Sequence, residues 1–350
     1  MKHTLFAIAL GALSCIWSSW SAPTTDRIAE GQQPQIAVDN NGIIRVAFGR
    51  KDKIFCVTSV DQGVTFSEPV LVADVPEMHL GMSRGPQLAS SDHYSVITAM
   101  DKAGNIHWFR LNHGAKGWSN MGMINDVKGS SPEGLMSIAA DKSDHFYAVW
   151  LDIRTGHRNQ VYFSSVSGTD GHWAKNRLLY QSPDGHVCEC CKPNIAAEGS
   201  RVAVMFRNWL SGSRDLYLLQ SSDGGNTFRN AEKLGKGTWK LNGCPMDGGG
   251  VFIDAAGHIH TTWQREGTVY YCTPGEVETA IGKGRISSIS GASASPVISM
   301  QHSDTVELVR LLQKKDIEIG TGSFLRSVGL PDSGVLCVWE QDNVIRFRKV

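Results

Sequence analysis

A turn sequence that occurs twice constrains this chain more than any other feature. Residues 59–66 read SVDQGVTF and residues 221–228 read SSDGGNTF, so both follow Ser-x-Asp-x-Gly-x-Thr-Phe. In such a turn Asp and Ser can hydrogen-bond the local backbone, glycine can take a positive φ, and the phenylalanine can pack beneath. The second copy follows two apolar-alternating runs, residues 202–206 and 216–219, which is the pattern of half-buried strands. The sequence therefore predicts strand pairs followed by one recurrent turn.

Four short strand-like segments recur as a unit along the chain. Units start near residues 34, 86, 136, 193 and 250, a compressed one spans 286–321, and the last holds three strands. Such repeats are typical of β-propeller blades. Residues 26–29 can supply the missing strand and remove both exposed sheet edges. We predict an all-β fold, a single propeller of seven four-stranded blades closed by its N- and C-terminal strands. Six blades are the alternative, with the compressed segment forming one irregular blade.

The repeated turn resembles the Asp-box, or BNR repeat, of the sialidase-like β-propeller superfamily. The matching residues are Ser59, Asp61, Gly63, Thr65, Phe66, Ser221, Asp223, Gly225, Thr227 and Phe228. The resemblance implies a structural role for these residues and an exported glycosidase of the exo-α-sialidase type. Sialidases also carry an Arg-Ile-Pro motif, which this sequence lacks; residues 83–86, SRGP, are its nearest counterpart.

The N-terminus has the features of a secretory signal peptide. One lysine precedes an apolar run and then small residues, which predicts a signal peptide at residues 1–22 and a propeller domain at 23–350. The mature protein is then secreted or periplasmic. Residues 12–15, ALSC, loosely resemble a lipobox, so a lipid anchor at Cys15 is the less favoured alternative.

The charge composition limits the classes of partner. The chain has 34 basic and 34 acidic residues, and this balance argues against nucleic acid as a partner. No second apolar run reaches transmembrane length, so we expect no membrane span. We also expect the protein to be a monomer.

Propeller topology selects candidate functional residues. Connections into each first strand and loops after each second strand lie on one face, where they form a funnel at the central channel, while the Asp-box turns lie on the other face. The predicted catalytic carboxylates in this funnel are Asp101, Glu133, Asp152, Asp247 and Glu340. The predicted substrate-binding arginines are Arg50, Arg84, Arg154, Arg207 and Arg265. Paired carboxylates suit glycoside cleavage, and arginine forks bind anionic groups.

Four cysteines fall on the same face, in two segments that lead into neighbouring blades. They are Cys188, Cys190, Cys191 and Cys244. In an exported protein a disulfide between Cys244 and one of the other three is expected, joining blades four and five. A thiolate site for zinc or copper, with His186 nearby, is the alternative.

Three functional hypotheses follow. The first is a protein that acts on or binds a glycan in the funnel lined by arginines and carboxylates. An anionic glycan would suit the arginines. This function requires no cofactor. The second is a non-catalytic propeller that binds carbohydrate or protein. The third is a metal-binding propeller built on the four cysteines.

Overall fold

The structure is a computed structural model that describes residues 26–292, 295–313 and 315–350. The predicted signal peptide and Cys15 lie outside these residues. Numbered in chain order, the first fourteen strands are β1 Asp26–Glu30, β2 Gln32–Val38, β3 Ile44–Arg50, β4 Lys53–Ser59, β5 Val70–Asp74, β6 Gln87–Ser90, β7 Tyr94–Met100, β8 Ile106–Asn112, β9 Ser119–Met123, β10 Met136–Ala140, β11 His145–Asp152, β12 Gln160–Ser167, β13 Arg177–Tyr180 and β14 Asn194–Glu198. The others are β15 Arg201–Arg207, β16 Leu216–Ser221, β17 Glu232–Lys233, β18 Gly250–Ile253, β19 Ile259–Arg265, β20 Thr268–Cys272, β21 Thr279–Lys283, β22 Arg285–Ala292, β23 Ser295–His302, β24 Thr305–Arg310, β25 Lys315–Thr321, β26 Ser323–Gly329, β27 Val335–Gln341 and β28 Val344–Lys349.

These strands form seven antiparallel four-stranded sheets, the blades of a β-propeller. Blades 1 to 6 are the successive groups of four from β2 to β25, and blade 7 has the order β1-β28-β27-β26. The predicted fold is confirmed, including seven rather than six blades. The compressed segment forms a complete blade, β22 to β25. Among the described residues no helix is long and apolar enough to cross a bilayer.

Each blade is a sandwich layer between two neighbours, which explains its burial pattern. Second strands such as β3 and β15 are buried along almost their whole length because both faces pack on neighbouring blades. Outer strands such as β5 and β9 are mostly exposed. The core is therefore divided into seven interfaces. Six of them hold between eight and twelve buried apolar residues, whereas the interface of blades 5 and 6 holds four, Val269, Ile298, Met300 and Val309.

The ends of the chain close the ring. β1 pairs antiparallel with β28, with Ala29 opposite Ile345 and Glu30 opposite Val344. The Gly31 amide adds a hydrogen bond to the Asn343 carbonyl. This pairing supplies the fourth strand of blade 7 and covers the edge of β28.

Candidate functional site

The seven inner strands, β2, β6, β10, β14, β18, β22 and β26, contact one another around a central channel. Loops leading into them form one mouth of this channel, which we call the funnel face. The turns between third and fourth strands, including both Asp-boxes, lie on the opposite face, which we call the Asp-box face. The predicted funnel residues can now be placed individually.

Two of the predicted catalytic carboxylates stabilise their own loops. Asp101 accepts hydrogen bonds from the backbone and side chain of Asn105 and lies 2.8 Å from His107 Nε2. Asp152 is buried and accepts hydrogen bonds from the Trp150 indole and from Arg154. Both carboxylates already use most of their acceptor capacity within one blade, as structural turn residues do.

Two others join neighbouring blades through backbone amides. Asp247 accepts the Ile286 amide of blade 6 at 2.7 Å, and Glu340 accepts the Gln33 amide of blade 1 at 3.0 Å. A carboxylate in this role fixes the spacing of inner strands.

Four of the five predicted arginines have partners within the protein. Arg154 binds Asp152 and Asp126, and Arg265 binds Glu278 at 2.7 Å. Arg50 is exposed, with its guanidinium 4.2 Å from the Phe55 ring centroid. Arg207 is fully buried and donates to the carbonyls of Asp247, Arg214 and Gln264.

Arg84 and Glu133 do meet at the funnel face. The Arg84 Nε donates to the Glu133 carbonyl at 2.6 Å, and the two charged groups lie 3.8 Å apart. Partial burial raises the pKa of the Glu133 carboxyl; Arg84 opposes the shift, and the charge of Glu189 adds to it. The raised pKa favours the protonated form of Glu133, which is the form that a general acid needs.

The four cysteines converge at the funnel face. Cys190 and Cys244 are disulfide-bonded with Cα atoms 6.2 Å apart, which joins the segments that lead into blades 4 and 5. Cys188 and Cys191 are buried thiols with sulfurs 3.2 Å apart. The hydrogen bond with Cys191 lowers the pKa of Cys188, assisted by Arg214 and Arg207, while burial raises the pKa of Cys191.

The channel next to this cluster is narrow and carries positive charge. A cavity of about 20 Å³, room for roughly one water molecule, is bordered by Cys190, Lys192, Asp247 and Arg326. The Lys192 ammonium donates to Gln87 Oε1 at 3.1 Å, and the residue is half-buried at this cavity. Burial, reinforced by Arg326, lowers the pKa of Lys192 to about 7. A cavity of this volume is too small for a sugar ring.

The roomier site lies elsewhere, at the thin interface of blades 5 and 6. A cleft of about 810 Å³ opens there on the Asp-box face. One wall is polar, with Asp254, His258, His260 and Tyr271. Ala280 and Ile281 of β21 belong to the same side as this polar wall, because both lie in blade 5. The opposite wall is apolar and is formed by Pro296, Val309, Leu311 and Leu312 of blade 6, and Thr279 and Asp316 also line the cleft.

The polar wall is a connected hydrogen-bond chain. His260 Nε2 lies 3.2 Å from Asp254 Oδ2, and His260 Nδ1 lies 2.7 Å from Tyr271 Oη. Hydrogen bonds from His258 and His260 hold the pKa of Asp254 well below its usual value despite desolvation, so this carboxylate only accepts. In the tautomer that donates from Nε2 to Asp254, the Nδ1 atom of His260 accepts a hydrogen bond from the Tyr271 hydroxyl. Burial raises the pKa of Tyr271, so its hydroxyl stays neutral and keeps its oxygen lone pairs for a ligand.

The sequence analysis did not select this cleft, because it searched for functional residues in the loops of the funnel face, where propellers usually bind their ligands. The available signal was the pair His258 and His260, two residues apart, of which His260 lies in β19 and His258 directly precedes this strand. Lys192, Arg214 and Arg326 were also missed, because single basic residues in short loops have no distinguishing pattern.

Comparisons with known proteins support the fold. A scan against protein-family models gives no match, and a search of curated protein sequences gives none either. Solved structures do match. A lectin from Burkholderia pseudomallei has a TM-score of 0.65 at 10% identity, covering 92% of this chain and 96% of the lectin. A streptogramin B lyase has a TM-score of 0.58 at 13% identity, covering 93% and 97%. An ulvan lyase, a polysaccharide lyase with a bound saccharide, has a TM-score of 0.56 at 12% identity, covering 93% and 95%. At these identities the likeness establishes a shared propeller architecture.

Proposed function

We propose that this protein is an exported propeller that binds a saccharide in the cleft between blades 5 and 6. The observation that carries the proposal is the cleft itself, with an apolar wall facing the Tyr271–His260–Asp254 chain. Saccharides have apolar C–H faces and polar hydroxyl edges, so a site with one wall of each kind matches both. A lectin and a polysaccharide lyase among the similar structures support saccharides as the ligands to test first.

The hydrogen-bond chain orients the polar wall before a ligand arrives. Tyr271 is half-buried, and its hydroxyl oxygen lies 2.7 Å from His260 Nδ1. When this hydroxyl donates to His260, its oxygen lone pairs are left to accept a hydrogen bond from a ligand. Asp316 and Thr279, which also line the cleft, can take further hydroxyls. A second cleft, of about 710 Å³, lies between blades 3 and 4, but its tyrosine, Tyr147, is buried. The cleft of blades 5 and 6 is therefore better suited to a ligand.

Binding without hydrolysis is the function we favour at this cleft. Glycoside cleavage requires two carboxyl groups on either side of the scissile bond. Asp254 is saturated by the His258 amide and by the imidazoles of His258 and His260. Asp316, across the cleft, is exposed. Among the described residues that line the cleft, Asp254 is the carboxylate that could act together with Asp316.

Calorimetric titration with a panel of neutral and anionic oligosaccharides tests the proposal. Tyr271→Phe removes one hydroxyl, which should weaken binding of a positive ligand about three- to tenfold, the effect of one hydrogen bond of about 0.5–1.5 kcal/mol. Tyr270→Phe is the matched control, because Tyr270 packs on the opposite face of β20 against Trp263. Equal affinities of the two variants, or no binding across the panel, would contradict the proposal.

Acid–base chemistry at the funnel face is a second candidate, favoured by the raised pKa of Glu133 beside Arg84 and Glu189. Fluorogenic glycosides, sialosides included, provide the assay. If the funnel is catalytic, turnover should fall at least a hundredfold in Glu133→Gln and persist in Tyr271→Phe. If no glycoside is turned over, this second candidate is ruled out and saccharide binding remains the proposed function.

A further inference from the structure

The four-cysteine cluster has the arrangement of a soft-metal site. The sulfurs of Cys188, Cys190 and Cys191 all lie within 4.8 Å of one another, and the Cys244 sulfur is bonded to that of Cys190. Cys188 and Cys191 are fully buried, Cys190 is half-buried and Cys244 is exposed. The cluster therefore has three inner sulfurs and one at the surface, where an ion could enter.

The distances between the sulfurs match a shared ion. A Zn–S bond of about 2.3 Å places the sulfurs of a tetrahedral site roughly 3.8 Å apart. The Cys188 and Cys190 sulfurs are 3.8 Å apart, and those of Cys188 and Cys191 are 3.2 Å apart. The third pair, Cys190 and Cys191, lies within 4.8 Å.

The surrounding charges give an independent argument. Arg214 Nη1 donates to the Cys188 sulfur at 3.0 Å, and its guanidinium packs on the Trp209 ring. Arg207, 1% exposed, acts electrostatically on Cys188 and Cys191, and its described hydrogen bonds all go to backbone carbonyls. Among the described side chains, no carboxylate lies within 4.0 Å of either guanidinium. A buried cation without a counter-charge is costly, and this applies to Arg207, whereas Arg214 is half-buried. The cluster sulfurs are the groups near these arginines that can supply the negative charge.

We propose that the reduced cysteines of this cluster bind one thiophilic d¹⁰ cation as thiolates: either all four bind Zn²⁺, or Cys188, Cys190 and Cys191 bind Cu⁺. Zn²⁺ with four thiolates and Cu⁺ with three both carry a net charge of −2, which Arg207 and Arg214 neutralise. Each ligating thiol releases its proton on binding. The Cys190–Cys244 disulfide is the metal-free form of the same residues, in which two thiols have lost two electrons and two protons to an oxidant such as dioxygen. This proposal is independent of the saccharide site.

Metal analysis of the full chain purified without oxygen and without chelator tests the site. The expected result is about one zinc or copper ion per chain, and less than a tenth of that in Cys191→Ala. Cys337→Ala is the matched control, because Cys337 is equally buried but lies in β27, outside the cluster. Cys244→Ala separates the two metals: a four-thiolate zinc site loses its ion, whereas a three-thiolate copper site keeps it.

Arg214→Gln provides a readout that retains every thiol. The variant should bind the metal at least tenfold more weakly, as measured by competition with a metal-binding dye. Its circular dichroism spectrum should stay unchanged. Should the cysteine variants fail to fold, this variant and the unmodified chain still decide the matter. Less than 0.2 ion per chain, with a linked peptide pair joining Cys190 to Cys244 in oxygen-free preparations, would overturn the proposal. So would equal metal content in Cys191→Ala and the unmodified chain.

Discussion

At the scale of single residues, three aspartates of this protein fix turns in the same way. Asp39, Asp141 and Asp254 each accept the backbone amide four residues later and a side chain six residues later. An ionised carboxylate is acceptor-only, so it can satisfy several amides at once. The same property makes it useful in catalysis, which explains why the sequence alone could not separate structural from catalytic carboxylates at Asp101, Asp152, Asp247 and Glu340.

The Asp-box carboxylates give a pH-dependent prediction. Hydrogen bonds from the hydroxyl and amide of Thr227, and then from Ser221, lower the pKa of Asp223 to about 2. A lowered folded-state pKa stabilises the protein above the unfolded value near 4, and this contribution is lost as the pH falls toward 2. We expect Asp223→Asn to lower Tm at pH 7 and the difference from the unmodified protein to shrink between pH 4 and pH 2. A constant difference across this range would contradict the assignment.

Lys192 predicts a second increase of stability with pH, in the alkaline range. Its folded-state pKa of about 7 lies below the unfolded value near 10.4, so the charged form destabilises the fold at and below pH 7. This destabilisation is relieved as the pH rises from 7 to about 10. In Lys192→Met, Tm should exceed that of the unmodified protein at pH 6, and the gap should close by pH 10. Lys102→Met, at an exposed lysine, is the control and should leave the profile unchanged.

At the scale of elements, each Asp-box turn docks on the preceding blade. Phe66 packs edge-on against Phe347 of blade 7, and Phe228 packs edge-on against Phe163 of blade 3. The box glycine lies equally close, since a Cβ on Gly225 would come within 2.8 Å of the Phe163 ring. The motif therefore joins blades as well as closing a turn.

Two neighbouring glycines separate these effects. Gly224 and Gly225 have φ values of 69° and 76°, but a Cβ on Gly224 would meet no atom closer than 3.7 Å. Gly224→Ala should therefore cost about 1–2 kcal/mol for backbone strain alone. Gly225→Ala should cost a further 1–3 kcal/mol because it overpacks the blade interface. Denaturant unfolding measures both, and equal losses would show that the turn does not press on blade 3.

The blades could be predicted from sequence because strand alternation and turn residues are local signals. The repeated turn, the alternation in β15 and even the compressed blade from β22 to β25 were readable in this way. The cleft was not readable, because it arises where the interface of blades 5 and 6 holds few buried apolar residues. Sheet-to-sheet packing depends on residues far apart in sequence, such as Val269 and Ile298, which no local pattern pairs.

At the scale of the whole molecule, stability depends on closing the ring. β1 contributes Ala29 to the interface of blades 7 and 1 and covers the edge of β28. Because β1 runs antiparallel to β28, Asp26 lies opposite Phe347, close to the C-terminus. The two ends could therefore be joined by a short hairpin turn.

This geometry gives a deletion and rescue experiment. Removing residues 26–31 should cost about 3 kcal/mol or more, from lost apolar burial and ladder hydrogen bonds, and should promote association through the exposed edge of β28. A permuted chain that starts at Gln32 and carries residues 26–31 after Val350 and an Asn-Gly linker should recover most of this loss because the strand returns to the same edge. With Asp26 opposite Phe347, residues 348–350 and the two linker residues form a five-residue hairpin connection. Thermal unfolding and light scattering compare the three chains. A deletion variant as stable as the intact protein, or a permuted chain no better than the deletion, would show that the N-terminal strand does not hold the ring closed.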